Sequence, residues 1–190
     1  MKVPSVCCLI ASGFEEIEAL APVDILRRAG STVTLATIEN KLKVKGRNGI
    51  EVVADAFLSE VPSLSKEGKP QFDMLIIPGG PGISRLREDG RAKQLAAVYV
   101  REGAWVAAIC SGPIVLSDAG LLEHCQFTAH FSVAKELPHT LSAKEPVVVD
   151  NRIITSRGAG TAIDFGLTLV LLLMGVQKKE EISHCIMGAK

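Results

Sequence analysis

The sequence lacks the features of a nucleic-acid binder or a membrane-spanning protein. Its 21 basic and 21 acidic residues give a formal net charge of zero, and no long basic run occurs, although binding to a phosphate backbone depends on such charge. The most apolar later stretch, residues 165–176, falls well short of the roughly 20 residues that span a bilayer. We therefore expect no specific nucleic-acid binding and no membrane insertion.

The five cysteines also lack the spacings of disulfide or metal scaffolds. Their number is odd, no C-x-x-C pair occurs, and no cluster of cysteine and histidine has zinc spacing. This pattern favours a reducing, cytoplasmic compartment, and we expect no metal and no cofactor. Cys7 and Cys8 are adjacent on a predicted strand, so their side chains should enter the core on opposite faces. We assign no role to Cys125 or Cys185.

With 190 residues and 47% apolar content, the chain is long enough for one domain with a full core, which we expect to span residues 1–190. Its amino terminus has some likeness to a signal peptide, but it carries one positive charge and leads into an acidic helix, which indicates a first core strand. No internal repeat or linker interrupts the chain.

Strand and helix patterns alternate along the sequence. Buried strands are predicted at residues 6–11, 32–37, 72–77 and 105–109, with a hairpin at 44–53, a polar loop at 62–70 and a turn at Asn151 between 147–150 and 153–156. Helices are predicted at residues 15–29, 91–102, 111–119 and 161–174. Pro22 should kink or split the first helix. The alternation predicts an α/β fold with a doubly wound, mostly parallel sheet and helices on both faces.

Cys110 is the most informative residue of the chain. It ends the apolar run 105–109, and small residues and a helical pattern follow at once. This order predicts a strand, a sharp turn and a helix, the geometry of a cysteine nucleophile elbow. Because the helix amino terminus would face the sulfur, we expect Cys110 to be the one thiol with a strongly depressed pKa. The alternative is a buried strand cysteine that acts as a small hydrophobic residue.

Ligand sites in such sheets lie beyond the carboxyl ends of the strands. Four segments of this chain end strands there: residues 12–15, 78–80, 110–112 and 156–160. They are also the glycine-rich and reactive stretches of the sequence. This coincidence favours a reactive Cys110 in a shared crevice.

With these segments identified, the chain resembles the ThiJ/PfpI family, and within it the branch of the parkinsonism-associated deglycase and its bacterial relatives. Five motifs carry the resemblance in order: EEIE at 15–18 with PVDILRRAG at 22–30, IPGG at 77–80, AAICSGP at 107–113, TAH at 128–130 and TSRGAGT at 155–161. The resemblance implies a flavodoxin-like fold and a homodimer. It also implies that Cys110 is an oxidisable nucleophile, that Glu18 is its carboxyl partner and that His130 lies nearby.

Two departures argue against a cysteine peptidase. The protease branch of the superfamily has histidine directly after the cysteine, where this chain has Ser111. The class I glutamine amidotransferases complete a triad with a late His-x-Glu, but here His184 is followed by Cys185 and Ile186. Relatives also place a hairpin arginine at the pocket across the dimer. Arg47 and Asn48 both nearly align with it, so that role stays unassigned.

Each candidate residue has a chemical role in this hypothesis. Glu18 sits among apolar residues, and a protonated Glu18 could donate a hydrogen bond to a Cys110 thiolate. Backbone N–H groups at Ser111 and near Gly79 and Gly80 could hold a small oxyanion.

His130 follows a predicted short strand and would carry protons or orient the substrate. Arg157, in a strand-end loop, could neutralise an anion. His124, His139 and His184 receive no role.

The resemblance favours a cofactor-free glyoxalase or deglycase. Such an enzyme would act on methylglyoxal or on early glycation adducts and protect against carbonyl and oxidative stress. The alternative is a redox sensor or chaperone in which Cys110 is oxidised to sulfinate without physiological turnover.

Overall fold

The computed structural model describes residues 2–65, 68–137 and 145–187. Residues 66 and 67 of the predicted polar loop, and His139, lie outside the described residues. In the described ranges the strands are β1 (Ser5–Ile10), β2 (Thr32–Thr37), β3 (Lys43–Lys45), β4 (Glu51–Val53), β5 (Ala56–Phe57), β6 (Met74–Ile77), β7 (Trp105–Ile109), β8 (Val147–Asp150) and β9 (Ile153–Ser156). The helices of the same ranges are α1 (Glu16–Arg28), α2 (Ile83–Asp89), α3 (Arg91–Arg101), α4 (Pro113–Asp118), α5 (Ala162–Met174) and α6 (Val176–Met187).

Seven of the described strands form a central sheet in the order β5-β2-β1-β6-β7-β9-β8. All neighbours in it are parallel except β8 and β9. Strands β3 and β4 form a separate antiparallel hairpin. The prediction of a doubly wound, mostly parallel α/β fold of the flavodoxin-like type is confirmed.

Helices cover both faces of the sheet and enclose two apolar clusters. One contains Cys8 and residues of α1 and α5, and the other contains Cys7 and residues of α3 and α4. The two buried thiols lie in different clusters, so the predicted opposite orientation of the adjacent cysteines is confirmed. Successive strand side chains point to opposite faces, and here both faces are covered.

Helix α1 runs through Pro22 without a break, so the expected split is wrong. Pro22 is buried, and α5 passes so close that a Cβ on Gly166 would lie 3.1 Å from the Pro22 Cα. Burial against α5 therefore offsets the loss of the backbone hydrogen bond that proline cannot donate.

The structure also adds elements that the sequence patterns do not predict. Helices α2 and α6 and the short strand β5 are among them. No helix in the described part of the chain combines the length and apolar character needed to cross a membrane.

Candidate active site

The carboxyl ends of β1, β6, β7 and β9 lie side by side, because these four strands are parallel neighbours in the sheet. The loops that follow them border a cavity of about 370 Å³. Its lining comes from the β1–α1 loop, α1, the β3–β4 turn, the segments after β6, β7 and β9, and the segment between α4 and β8: Glu15, Glu18, Arg47, Gly80, Pro81, Ile83, Cys110, Ser111, His130, Ser132 and Ala159. All four strand-end segments identified in the sequence thus contribute residues to the cavity around Cys110.

Cys110 occupies a strained turn between β7 and α4. Its φ of 62° lies in the left-handed region, which costs a non-glycine residue on the order of 1–3 kcal/mol. Two backbone hydrogen bonds hold it there: the Cys110 N–H donates to the Ser156 carbonyl at 2.9 Å, and its carbonyl accepts from the His130 N–H at 2.9 Å. The predicted strand, turn and helix are present, and the thiol is half-buried at the cavity.

Glu18 lies beside this thiol on the first turn of α1. Its side chain is 1% exposed, Oε2 accepts the Gly79 N–H at 3.0 Å, and it is hydrogen-bonded to Cys110. Burial raises the pKa of Glu18 to about 7, and the charge of Glu15 adds to the rise. Hydrogen bonds from Cys110 and from the N–H groups of Gly79 and Ala159 oppose it. A carboxyl group with this pKa can hold or release a proton near neutral pH.

The expected depressed pKa of Cys110 is wrong. Burial raises the pKa of the thiol to about 12, and the charge of Glu18 and the hydrogen bond to it add to the rise. The N–H groups of Ser111 and Gly80 act in the opposite direction but are outweighed. The sequence shows the helix that follows Cys110, whereas the burial of the thiol and the nearby carboxyl group of Glu18 depend on distant parts of the chain.

Cys110 and Glu18 therefore titrate as a pair. Their two protons leave in steps that belong to both groups, since each group's charge disfavours ionisation of the other. After the first proton leaves, one proton remains for the sulfur and the carboxyl group. A thiolate forms when Glu18 holds that proton and donates it in a hydrogen bond to Sγ.

Two glycines leave room for this pair. A Cβ on Gly79 would lie 2.7 Å from Glu18 Oε2 and 2.8 Å from the Ser111 nitrogen. Gly80 has a φ of 93°, and a Cβ there would lie 2.6 Å from the Glu15 nitrogen. Both positions therefore require glycine for close approach of the backbone.

His130 reaches the cavity through its backbone bond to Cys110 and not through a strand. The structure shows no strand before it, which corrects the prediction. The preceding segment is instead tied to β9, because the Thr128 N–H donates to Thr155 Oγ1 at 2.9 Å. His130 lines the cavity together with Ser111 and Gly80.

The two candidate arginines have different positions. Arg157 is half-buried in the loop after β9 and is not among the residues that line the cavity. Arg47, which the sequence analysis left unassigned, lines the cavity of its own chain, and Asn48 contacts the carboxylates of Glu15 and Glu16. Ser132 is a further lining residue that no sequence motif indicated. Within the described ranges, no group of three or more His, Cys, Asp or Glu side chains is arranged to hold a metal ion.

Comparison with known proteins agrees with this architecture. The chain is 35% identical over 182 residues to Protein DJ-1 homolog A of Arabidopsis thaliana, covering 94% of this chain and 45% of that protein, so it spans less than half the length of that relative. It is also 35% identical over 178 residues to the glutathione-independent glyoxalase DJR-1.2 of Caenorhabditis elegans, covering 93% of this chain and 91% of that protein.

A solved structure of oxidized Toxoplasma gondii DJ-1 superposes with a TM-score of 0.90 at 32% identity, over 99% of this chain and all of that one. The model of the DJ-1/PfpI family matches residues 4–172. A match of this length, with the same fold and with relatives above 30% identity along nearly the whole chain, identifies this protein as a member of the DJ-1/PfpI family.

Proposed function

We propose that the protein is a cofactor-independent glyoxalase or deglycase that acts through Cys110 on small dicarbonyls or early glycation adducts. The observation that carries this proposal is the pairing of a cavity-facing thiol with a buried carboxyl group whose pKa is raised to about 7. Such a pair supplies a nucleophile and a proton carrier without a bound cofactor. The family relative named as a glutathione-independent glyoxalase supports the same assignment.

The chemistry on methylglyoxal follows from these two groups. The Cys110 sulfur adds to the aldehyde carbon, and the aldehyde oxygen takes up a proton to give a hemithioacetal. Glu18, as carboxylate, removes the hydrogen from that carbon while the ketone oxygen takes up a proton, which gives an enediol. Glu18 then returns its proton to the former ketone carbon, and the hydroxyl group on the sulfur-bearing carbon loses its proton, which leaves a thioester of a hydroxy acid. Water then cleaves the thioester, so lactate leaves and the Cys110 thiol is regenerated. The sum is one dicarbonyl plus one water to one hydroxy acid, with no net oxidation or reduction.

The cavity suits a substrate of this size. About 370 Å³ lies near the lower end of the range for small-molecule sites. Gly158 contributes to the open space, because a Cβ there would lie 3.9 Å from the Cys110 sulfur and 3.7 Å from Glu18 Oε1. A glycated side chain of a protein would have to enter with only its sugar-derived end.

Steady-state turnover tests the proposal. The purified protein should consume methylglyoxal and release lactate in equal amounts, and Cys110→Ser should abolish both. Cys125→Ser is the matched control, because Cys125 is a half-buried thiol that does not line the cavity. Metal-stripped protein should keep full activity. Release of free amine from a methylglyoxal-treated peptide, measured in parallel, separates deglycase from glyoxalase activity.

A redox-sensing role is the second candidate. The structural relative described as oxidized favours it, together with the half-buried position of Cys110 at an open cavity. Here a peroxide would convert the sulfur to sulfenate and a second equivalent would give sulfinate. Negligible methylglyoxal turnover, together with selective oxidation of Cys110 by mild peroxide in peptide mass spectrometry, would replace the enzymatic proposal with this one.

A further inference from the structure

The imidazole of His130 has an unusual local partner. Its Nδ1 lies 2.7 Å from Ser132 Oγ and accepts a hydrogen bond from the Ser132 backbone N–H at 3.3 Å. A backbone N–H can only donate, so Nδ1 must be an acceptor in this contact. The Ser132 hydroxyl can rotate, and next to an acceptor it donates as well.

These bonds assign the tautomer of the ring. A neutral imidazole has one N–H donor and one acceptor nitrogen. Because Nδ1 accepts from Ser132, the proton lies on Nε2. A proton on Nδ1 would instead point at the Ser132 N–H, and two donors would oppose each other.

The Nε2 edge of the ring is also the edge that faces the reactive groups. A Cβ built on Gly158 would lie 3.4 Å from His130 Cδ2, the carbon bonded to Nε2, and 3.9 Å from the Cys110 sulfur. The imidazole edge and the sulfur therefore border the same small volume. The backbone bond from His130 to Cys110 fixes the base of the side chain.

Phe131 further restrains the ring. Its ring centroid lies 4.3 Å from that of His130 with the planes inclined by 35°. Phe131 is itself 81% exposed, so this contact is on one face only. The imidazole is held at three places: its backbone, its Nδ1 edge and one ring face.

We infer that Ser132 is a positioning residue that fixes His130 as the Nε2–H tautomer, and that His130 donates a hydrogen bond to a substrate oxygen and does not act as a base. This inference rests on the proposed function for the identity of the substrate. The acceptor would be the carbonyl oxygen next to the carbon that Cys110 attacks. Negative charge grows on that oxygen when Glu18 moves the proton, and a fixed donor stabilises such charge. The site would then favour substrates with two adjacent carbonyl groups over simple aldehydes.

The tautomer can be measured on the resting protein, without any substrate. Nitrogen chemical shifts of ¹⁵N-histidine-labelled protein, assigned with His130→Gln, should show the Nε2–H form of His130 in at least tenfold excess. Ser132→Ala should lower that ratio several-fold, because the hydroxyl donor is lost while the backbone donor remains. Ser132→Thr should restore it. A dominant Nδ1–H form in the unsubstituted protein, or an unchanged ratio in Ser132→Ala, would overturn the inference.

Kinetics of two amide variants test the role of the ring. The amide nitrogen of His130→Gln can take the place of Nε2–H as a donor, whereas the shorter His130→Asn places its amide near Nδ1. We expect the kcat of His130→Gln for methylglyoxal to stay within about tenfold of that of the unsubstituted protein. The kcat of His130→Asn should fall about a hundredfold, as when an oxyanion-hole donor is removed. Equal losses in both would contradict the donor role and indicate a base. If the unsubstituted protein shows no dicarbonyl turnover, the proposed function fails, while the measured tautomer still decides the assignment of Ser132.

Discussion

At the residue scale, Cys110 and Glu18 titrate as one unit, and burial is the largest cause of the raised pKa of each group. Glu18 is almost fully buried and its partner thiol is half-buried, so ionising either group is unfavourable, and each charge opposes the other. The left-handed backbone conformation of Cys110 places its sulfur beside the Glu18 carboxyl group. We therefore regard the position of a single proton between the two side chains as the property that controls reactivity.

Replacing Glu18 separates proton transfer from simple hydrogen bonding. Glu18→Gln keeps a donor near the sulfur but cannot carry protons, so methylglyoxal turnover should fall about a hundredfold or more. Glu18→Asp keeps the ionisable group but shortens its reach by one methylene, and should keep more activity than Gln. Rates and the thiolate pKa of Cys110 should be measured in each variant. Turnover of Glu18→Gln within a few-fold of the unsubstituted protein would end the assigned role and favour redox sensing.

The raised pKa of Glu18 also predicts a pH dependence of stability. The unfolded chain releases this proton near pH 4.5, whereas the folded protein holds it up to about pH 7. The folded state therefore binds more protons in this window, and its stability should fall as pH rises through it. Relative to Glu18→Gln, which cannot titrate, the unsubstituted protein should lose roughly 1–3 kcal/mol of unfolding free energy between about pH 4.5 and 7.5. Urea unfolding of both proteins at each pH measures this difference, and parallel pH profiles would contradict it.

Gly79 and Gly160 give a matched pair of substitutions near the same site. A Cβ on Gly79 would lie within 2.8 Å of the Cys110 Cβ, whereas a Cβ on Gly160 meets nothing within 4 Å. Gly79→Ala should displace Glu18 or Cys110, lower turnover at least tenfold and destabilise the fold by about 1–3 kcal/mol. Gly160→Ala should leave turnover within twofold. Thermal unfolding and steady-state kinetics should be measured for both variants. Equal stability and equal turnover of the two would mean that the close packing at Gly79 is not required for folding or activity.

At the element scale, elements dictated by local patterns are predictable from the sequence. The predicted bounds of β2, β8 and β9 coincide with the structure, because runs rich in β-branched residues end at clear turn residues. Asn151 takes a φ of 52° in the predicted turn. These features need only neighbouring residues for their explanation.

Elements held by distant contacts are not predictable in this way. Pro22 breaks no helix because α5 packs on it, and His130 sits at the cavity because Cys110 accepts its N–H. Helix α2 follows a glycine- and proline-rich segment, and this composition indicates only the end of a strand. The same limit applies to Ser132, whose partner is identified by geometry alone.

Glu16 connects the hairpin to α1, and this contact also places Arg47 at the cavity. The Glu16 carboxylate is buried and accepts from the Asn48 N–H at 2.8 Å and from Asn48 Nδ2 at 2.9 Å. Burial alone would raise the pKa of Glu16, but these hydrogen bonds and that of the Ile50 N–H lower it overall. The charged carboxylate is therefore the form that holds the turn.

Neutralising Glu16 should loosen the hairpin. Glu16→Gln should cost about 1–3 kcal/mol of unfolding free energy, because buried N–H groups lose a charged acceptor. The matched control is Glu51→Gln in the same hairpin, where an exposed pair with Lys43 should contribute less than about 1 kcal/mol. The stabilisation by Glu16 should be present above its unfolded pKa and disappear as pH falls through the lower folded value. Chemical unfolding of the three proteins at neutral and acidic pH provides the test, and equal losses in both variants would contradict the special role of Glu16.

At the scale of the whole molecule, the described surface places exposed apolar side chains on α1 and on the hairpin. Ile17 is 53% exposed, and Ile50 in the β3–β4 turn is 54% exposed. They belong to the two elements that also border the cavity through Glu18 and Arg47. Exposed large apolar residues on neighbouring elements are typical of contact surfaces between subunits.

We expect this surface to form an isologous homodimer, the commonest closed arrangement of soluble chains. Light scattering at micromolar concentration should give twice the 20.2 kDa mass of one chain. Ile17→Lys should shift the protein to the monomer, because an unpaired charge would be buried in the contact. Val149→Lys is the control, since Val149 is 43% exposed on β8 at the far edge of the sheet and should keep the dimer. A monomer mass for the unsubstituted protein would contradict the dimer. If the Ile17→Lys monomer retained full turnover with methylglyoxal, the cavity would be complete within one chain, as the position of Arg47 indicates.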